Sequence, residues 1–296
     1  MQASELFHQP NTILLDGGMG TMLQAAGMKL GTRPEDLNIE NPELIQSIHA
    51  KYAAAGSRVV NANTFGASPH KLADSKYTLE EVITAGIANC KQAVAPYGAL
   101  VTLDVGPLGE LLEPSGTLAF EDAVAEYGRI VRAGVAAGAD ILYFETFTDL
   151  YEMKAALLAA KENSTLPIMA SMSFEANGRT FTGCTVESFA ATARGLGANA
   201  VGINCSLGPK EIFPMAKRLA EAVPGDFPVF VKPNAGLPRA DGSGYDITPQ
   251  LYAMQMKPYR ELGLFAAGGC CGTTPEFIRL LNGVFGGKQG RGINVL

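Results

Sequence analysis

The sequence predicts an α/β protein of the (β/α)8 class, a closed TIM barrel. Three observations support this prediction: eight short apolar runs rich in β-forming residues, segments with helical spacing between them, and unusual polar residues directly after the runs. Alternating strands and helices build a parallel sheet, and eight repeats favour its closure into a barrel. Chemistry is then expected at the end of the barrel where the strands finish.

The predicted strands are continuous apolar runs, which is typical of strands buried on both faces. They are Thr12–Leu15, Arg58–Ala62, Leu100–Val105, Ile141–Phe144, Pro167–Phe174, Ala200–Asn204, Pro228–Lys232 and Leu264–Ala267. The predicted helices between them are Pro42–Ala55, Leu79–Ala95, Phe120–Ala137, Leu150–Glu162, Val186–Leu196, Pro209–Val223 and Pro249–Leu262. Asn41-Pro42 and Gly208-Pro209 each place a proline in the first turn of a helix, where proline is favoured.

A doubly wound open sheet is the alternative architecture, because the same alternation can build it. The count of eight strands favours the barrel. The chain has 296 residues and 47% hydrophobic content, a size that suits two ordinary domains or one large barrel. No low-complexity stretch or Pro/Ser-rich linker divides it, so residues 1–296 are predicted to form a single domain.

Charge and hydropathy narrow the class of partner. The formal net charge is -6 and no run of lysine and arginine occurs, which argues against nucleic acid and against an anionic membrane surface. No segment approaches about 18 continuous apolar residues, and the first residues lack the pattern of a signal peptide. The sequence therefore predicts a cytoplasmic protein that acts on a small molecule or an ordinary protein partner.

Three of the five cysteines follow two predicted strands. Cys205 comes directly after the sixth strand, and Cys270 and Cys271 stand between glycines after the eighth. In a barrel these positions share one rim, and flanking glycines permit the sharp turn that lets adjacent cysteines bind one ion. Zinc takes thiolate ligands, and three protein ligands with an open fourth position are typical of catalytic sites. We expect Zn2+ here, with a substrate thiol that the ion deprotonates.

Other interpretations of the cysteines stay open. For Cys270 and Cys271 alone, a vicinal disulfide or plain burial competes with metal binding, because a free cysteine is often a small buried hydrophobe. Cys90 fits that description, and Cys184 has no partner at ligand spacing. The three histidines lie away from the predicted strand ends and are expected to be surface or hydrogen-bonded groups: His8, His49 and His70. No Ser-His or Cys-His nucleophile pair is therefore predicted.

Further polar residues stand at the predicted strand ends. They are Asp16, Asn61, Asn63, Asp104, Glu145, Asn204 and Asn234. A carboxylate such as Asp16 or Glu145 is costly there unless it meets a cation or donors, so each either completes a structural network or binds a charged substrate group such as an ammonium. The backbone N–H groups of Gly17–Met19 can receive a carboxylate, although these glycines also fit a tight βα turn. The asparagine amides suit substrate binding and structural bonds equally.

These motifs resemble the zinc-dependent homocysteine S-methyltransferase family across essentially the whole chain. The motifs are Leu15-Asp16-Gly17-Gly18-Met19-Gly20-Thr21, Asn61-Ala62-Asn63-Thr64-Phe65-Gly66, Phe144-Glu145-Thr146, Gly202-Ile203-Asn204-Cys205 and Gly268-Gly269-Cys270-Cys271-Gly272. Within the family, three stretches are similar to the homocysteine-binding module of cobalamin-dependent methionine synthase. They are residues 38–43, 202–209 and 231–236.

The resemblance implies that Cys205, Cys270 and Cys271 bind zinc, that the sulfur of homocysteine is the fourth ligand, and that Asp16 and Glu145 lie near its amino group. It implies methylation of homocysteine to methionine, with methylcobalamin as donor. No Asp-x-His-x-x-Gly motif for cobalamin occurs, so the donor is expected on a separate chain or further module. The alternatives are S-methylmethionine or betaine as donor, or a non-catalytic zinc-containing thiol-binding module.

Overall fold

Eight parallel strands form one sheet in the computed structural model, which describes residues 3–29, 31–239 and 244–286. The strands are β1 (Ile13–Leu14), β2 (Val59–Asn61), β3 (Leu100–Val105), β4 (Ile141–Phe147), β5 (Ile168–Met172), β6 (Ala200–Asn204), β7 (Val229–Lys232) and β8 (Ala266–Ala267). From β2 to β8 each strand pairs with the next, and β8 pairs with β1. A parallel bridge between Leu15 and Val59 closes the ring. The (β/α)8 prediction is confirmed, and the open sheet is excluded.

Helices lie between the strands and cover the sheet. They are α1 (Ala3–Leu6), α2 (Met19–Ala25), α3 (Leu37–Glu40), α4 (Pro42–Ala54), α5 (Leu79–Val94), α6 (Phe120–Ala136), α7 (Leu150–Asn163), α8 (Val186–Gly195), α9 (Pro209–Glu221), α10 (Pro249–Met256) and α11 (Pro275–Phe285). Short 3-10 helices span Pro34–Asp36, Ala95–Tyr97 and Lys257–Leu262. Among the described residues, none of these helices combines the length and the hydrophobicity that a membrane crossing requires.

The predicted helices are confirmed to within two residues, with one change of type. The helix predicted for Pro249–Leu262 becomes a 3-10 helix at Lys257, because Pro258 has no N–H to continue the α-helical hydrogen bonds. The start predicted at Asn41 is confirmed: the Asn41 side chain accepts the N–H of Leu44, and a proline occupies the first helical position. Helix α11, which completes the eighth repeat, was not predicted.

The inward side chains of the strands are apolar in the lower part of the barrel and polar at its top. Together with Leu6 of α1, the apolar set contains Ile13, Leu15, Val59, Leu100, Ile141, Tyr143, Met169, Ala200 and Phe230. Side chains alternate along a strand, so residues two or four positions further on also face inward. At the C-terminal ends those residues are Asn61, Asp104, Glu145, Asn204 and Lys232. The alternation thus directs five polar side chains into one layer.

The expectation for the histidines is wrong for His49. Ile45, Ile48 and Tyr52 share the buried face of α4, and the helical period places His49 on the same face. Neither ring nitrogen of His49 has a hydrogen-bond partner within the described residues. Burial lowers the pKa of His49 to about 3, so the ring is neutral.

Candidate metal centre and active site

The three predicted cysteines meet at the C-terminal end of the barrel. The Sγ atoms of Cys205 and Cys271 are 3.8 Å apart, and the Sγ atom of Cys270 lies within 4.8 Å of both. All three are free, so Cys270 and Cys271 do not form a vicinal disulfide. Sulfurs bound at about 2.3 Å to one tetrahedral zinc ion lie about 3.8 Å from each other. The separation of Cys205 and Cys271 fits that arrangement.

An unusual turn aims the side chain of Cys205. Cys205 and Ser206 both have φ 62°, in the left-handed region that residues other than glycine avoid. The turn is held by the N–H of Cys205, which donates to the carbonyl of Lys232 at 3.1 Å, and by the N–H of Leu207, which donates to the carbonyl of Cys205 at 2.8 Å. Such conformations cost about 1–3 kcal/mol each and are concentrated at functional sites.

The loop after β8 is fixed by backbone hydrogen bonds to the loop after β7. The N–H of Cys270 donates to the carbonyl of Pro233 at 2.8 Å, and the carbonyl of Cys271 accepts the N–H of Ala235 at 2.9 Å. Gly272 follows with φ 79°, and its N–H donates to the Thr21 hydroxyl at 2.8 Å. The two adjacent sulfurs are therefore positioned by neighbouring loops rather than by their own short strand.

Replacing Gly272 with alanine is expected to destabilise the protein by about 2–4 kcal/mol. The new Cβ would collide with the ring of Tyr245, and the positive φ adds its own strain. The matched control is Gly183→Ala, which has φ 89° but open space around the new Cβ, so only the strain of about 1–2 kcal/mol remains. Urea unfolding of both variants measures the difference. Equal losses in the two would show that Gly272 is not needed for packing.

Hydrogen bonding among the three thiols makes one of them more acidic than the other two. Bonds from Cys205 and then Cys270 lower the pKa of Cys271 to about 3. The pKa of Cys205 is about 12, because hydrogen bonding with Cys270, which lowers it, is outweighed by bonding to Cys271 and by burial. Bonds with Cys205 and Cys271 raise the pKa of Cys270 well above its usual range. Cys271 is thus the most acidic thiol of the cluster, and binding of a divalent cation would favour loss of the protons of all three.

A cavity of about 310 Å3 lies beside the cysteines. At about 30 Å3 per water molecule it has room for a small compound of about ten non-hydrogen atoms. The predicted residues that line it are Asp16, Gly17, Gly18, Met19, Asn63, Glu145, Cys205, Cys270 and Cys271. Of the residues predicted to bind metal or substrate, only Asn204 is absent from this lining; of the other polar residues predicted at the strand ends, Asn61 and Asp104 line the cavity and Asn234 does not.

A buried lysine, to which the sequence analysis gave no role, lies between two of the predicted carboxylates. Nζ of Lys232 is 3.0 Å from Oδ1 of Asp16 and 3.4 Å from Oε2 of Glu145. The other oxygen of Asp16 accepts the N–H of Asn61 at 2.8 Å. Burial raises the pKa of both carboxyl groups, and the charge of Lys232 opposes that rise. Lys232 is thus the cation that these carboxylates meet in this structure.

Comparison with known proteins decides the family. A model of the homocysteine S-methyltransferase family matches residues 13–285. The chain belongs to this family.

Two relatives of this chain are methionine synthases. The enzyme from Mycobacterium tuberculosis is 31% identical over 285 residues, which are 89% of this chain and 24% of that protein. The enzyme from Mycobacterium leprae is 31% identical over 286 residues, 89% of this chain and 23% of that protein. The chain therefore spans about a quarter of the length of these relatives.

One solved structure matches this chain over nearly the full length of both proteins. The oxidized form of the homocysteine methyltransferase MmuM from Escherichia coli is 25% identical with a TM-score of 0.81, and the match covers 94% of this chain and 97% of that one. The metallated form of the same enzyme is 24% identical with a TM-score of 0.80, over 94% and 98%. The resemblance predicted from the motifs is confirmed.

Two asparagines of this family member hold the site together through their amides. Oδ1 of Asn204 accepts bonds from the Ser171 hydroxyl at 2.8 Å and the Thr146 N–H at 2.9 Å, and its Nδ2 donates to the Thr146 hydroxyl at 2.7 Å. That Nδ2 also lies 3.9 Å from Sγ of Cys270. Nδ2 of Asn63 donates to the Pro34 carbonyl at 2.8 Å. Substrate contact by either amide stays a prediction, whereas the structural bonds are present.

Proposed function

We propose that the chain binds zinc through Cys205, Cys270 and Cys271 and transfers a methyl group to the sulfur of homocysteine, giving methionine. The observation that carries the proposal is the meeting of three sulfurs beside a cavity walled by buried carboxylates. Membership of the homocysteine S-methyltransferase family supports homocysteine as the acceptor. The spacing of the sulfurs and the softness of thiolate ligands support zinc as the ion.

Bound zinc would supply a positive charge that lowers the pKa of the substrate thiol. The protein's own residues bind and orient the amino acid. Asp16 and Glu145, held in place by Lys232, form the anionic wall of the cavity near the amino group. Gly17 and Met19 line the same cavity, and their N–H groups are available for the substrate carboxylate, whereas the N–H of Gly18 donates to the Thr273 hydroxyl at 3.2 Å.

Methyl transfer then depends on alignment. The thiolate attacks the methyl carbon in line, the new sulfur–carbon bond forms as the bond to the donor breaks, and the donor keeps the electron pair. Homocysteine and the donor would displace water from this cavity, which would preserve the reactivity of the thiolate. Positioning of the two reactants is the main contribution that the fold makes to the rate.

The proposed donor is methylcobalamin, carried by a separate chain or a further module. The similarity to two methionine synthases that are about four times as long supports this choice. A donor such as S-methylmethionine or betaine is the alternative.

Donor profiling tests the proposal. Zinc-loaded protein is incubated with homocysteine and with methylcobalamin, S-methylmethionine or betaine in turn, and methionine is measured, with metal-free protein as the control. We expect methionine from methylcobalamin. Methionine only from S-methylmethionine or betaine would overturn the donor. Homocysteine binding without methionine from any donor would overturn catalysis and favour a thiol-binding module.

A further inference from the structure

All three cysteines of the proposed metal centre are open to the methyl donor. Cys205, Cys270 and Cys271 line the same cavity that the donor enters to reach homocysteine. Thiolates are nucleophiles, so each of these sulfurs competes with the substrate sulfur for the methyl group. Methylation of a cysteine would leave a neutral thioether and remove a charged ligand from the metal. The site therefore requires a feature that directs the methyl group to the substrate.

An amide N–H of Asn204 is directed at Cys270. The N–H of Thr146 can only donate, and it meets Oδ1 of Asn204 at 2.9 Å, so the orientation of the amide is fixed. Ser171 donates its hydroxyl to the same oxygen at 2.8 Å. Of the two hydrogens on Nδ2, one is donated to the Thr146 hydroxyl at 2.7 Å, and the other is left for Sγ of Cys270, 3.9 Å from Nδ2. Asn204 is fully buried, so solvent does not compete for this bond.

A tyrosine hydroxyl bonds Cys271 in a similar way. The loop after β7 folds back on itself, and the N–H of Ile247 donates to the Ala235 carbonyl at 3.0 Å. The ring of Tyr245 in this loop lies against Gly272, directly after Cys271. The Tyr245 hydroxyl and Sγ of Cys271 are joined by a hydrogen bond. A thiolate can only accept, so Tyr245 is the donor once Cys271 is a metal ligand.

Both donors lie outside the cavity. Neither Asn204 nor Tyr245 is among the residues that line it, whereas the three sulfurs are. The amide and the hydroxyl are therefore placed for sulfurs of the protein rather than for a ligand that enters through the cavity. The backbone N–H of Ser206 bonds Sγ of Cys205 as well, so each sulfur of the centre has a donor of its own.

We propose that Asn204 and Tyr245 protect Cys270 and Cys271 from methylation, so that the sulfur of the substrate receives the methyl group. This inference rests on the proposed function and adds to it the choice between sulfurs. A hydrogen bond to a thiolate is strengthened by the negative charge. That charge disappears when the sulfur becomes a thioether, so the bond weakens as the methyl group is transferred. The barrier at a hydrogen-bonded sulfur is therefore raised, because its ground state is stabilised more than its transition state.

The experiment treats zinc-loaded protein with iodomethane in the absence of homocysteine, and peptide mass spectrometry gives the rate of methylation at each cysteine. The sulfur–carbon bond forms as the carbon–iodine bond breaks, and iodide leaves with the electron pair, so no cobalamin partner is needed. Tyr245→Phe keeps the ring against Gly272 and loses only the hydroxyl. We expect methylation of Cys271 to rise about 3- to 10-fold, as for partial loss of a hydrogen bond to a charged group, and that of Cys270 to stay within about twofold.

A second variant reverses this pattern. Asn204→Asp keeps an oxygen for the Thr146 N–H and removes the amide donor that faces Cys270. Methylation of Cys270 should rise about 3- to 10-fold, and by more than that of Cys271.

The matched control is Tyr252→Phe. The Tyr252 hydroxyl bonds the carbonyls of Pro233 at 3.1 Å and Gly268 at 2.8 Å, so it holds the loops after β7 and β8 together through oxygen acceptors. Its removal loosens the same loops and should leave both methylation rates unchanged.

The outcomes separate protection from loop packing. A variant that does not raise methylation of its own cysteine above that of the other would overturn the role of that residue. An equal rise at all three cysteines, in Tyr245→Phe and Tyr252→Phe alike, would overturn protection and indicate a loosened loop. Zinc content is measured on every sample. Wild-type protein without zinc, or without methionine from homocysteine and any donor, would instead overturn the proposed function itself, so the two failures are distinguishable.

Discussion

Replacement of Cys271 with serine is expected to abolish zinc binding and methyl transfer together. Cys271 is one of the three sulfurs of the cluster, and its Sγ lies 3.8 Å from that of Cys205, so the variant leaves only two of the three proposed thiolate ligands. Loss of an outer-shell partner alone costs about 10- to 100-fold in metal affinity or activity, and we expect a lost ligand to cost more than about 100-fold. Bound zinc and methionine formation are measured on the same preparation.

The matched control for this substitution is Cys184→Ser. Cys184 is half-buried like Cys271, but its Sγ donates to the carbonyl of Thr185 at 3.2 Å and it stands outside the cluster. The control should keep full zinc content and activity. A Cys271 variant without zinc that still forms methionine at the wild-type rate would contradict the proposed role of the metal.

Replacement of Lys232 with methionine is expected to cost about 3–5 kcal/mol in the free energy of unfolding near pH 8. Methionine fills similar space, but Asp16 and Glu145 are then buried without their cation. The control Lys91→Met breaks a partly exposed pair with Asp140, which is worth less than about 1 kcal/mol. Urea unfolding measures both variants, and a loss in Lys232→Met no larger than the control would contradict the account.

The loss in Lys232→Met is also expected to shrink as the pH falls. Burial holds the folded pKa of Asp16 and Glu145 above their ordinary values near 4, and removal of Lys232 raises it further. An acid with a raised folded pKa contributes stability below its unfolded pKa and loses it as the pH rises through the folded value. Unfolding measured at pH 5 and pH 8 should show the smaller difference at pH 5, and a difference independent of pH would contradict the assignment.

The sequence predicted the barrel well because its strands are apolar on both faces. Such continuous apolar runs are easy to recognise in the sequence. At Leu100–Val105, for example, the predicted and observed bounds of the strand agree. The end of β4 was less clear. It extends from Phe144 to Phe147 through a register shift, and Thr146 takes φ 66° there, a conformation that no pattern of hydrophobicity encodes.

Site residues whose chemistry follows from their type could be predicted from the sequence. Those whose role depends on a partner far away in the chain were missed. Cysteines between glycines at the ends of predicted strands indicate a metal site from the sequence alone. The cluster of Cys205, Cys270 and Cys271 was therefore predictable. Lys232 was not, because its partner Asp16 is 216 residues away. The available signal was its position two residues after Phe230, which faces into the barrel.

X-ray absorption at the zinc edge, recorded before and after addition of homocysteine, tests the central claim most directly. The claim is that three thiolates of this chain leave one position open for the sulfur of the substrate. We predict three sulfur ligands and one lighter ligand in the zinc-loaded protein, and four sulfur ligands once homocysteine is bound. An unchanged coordination shell in a sample that still forms methionine would contradict activation of the thiol at this centre.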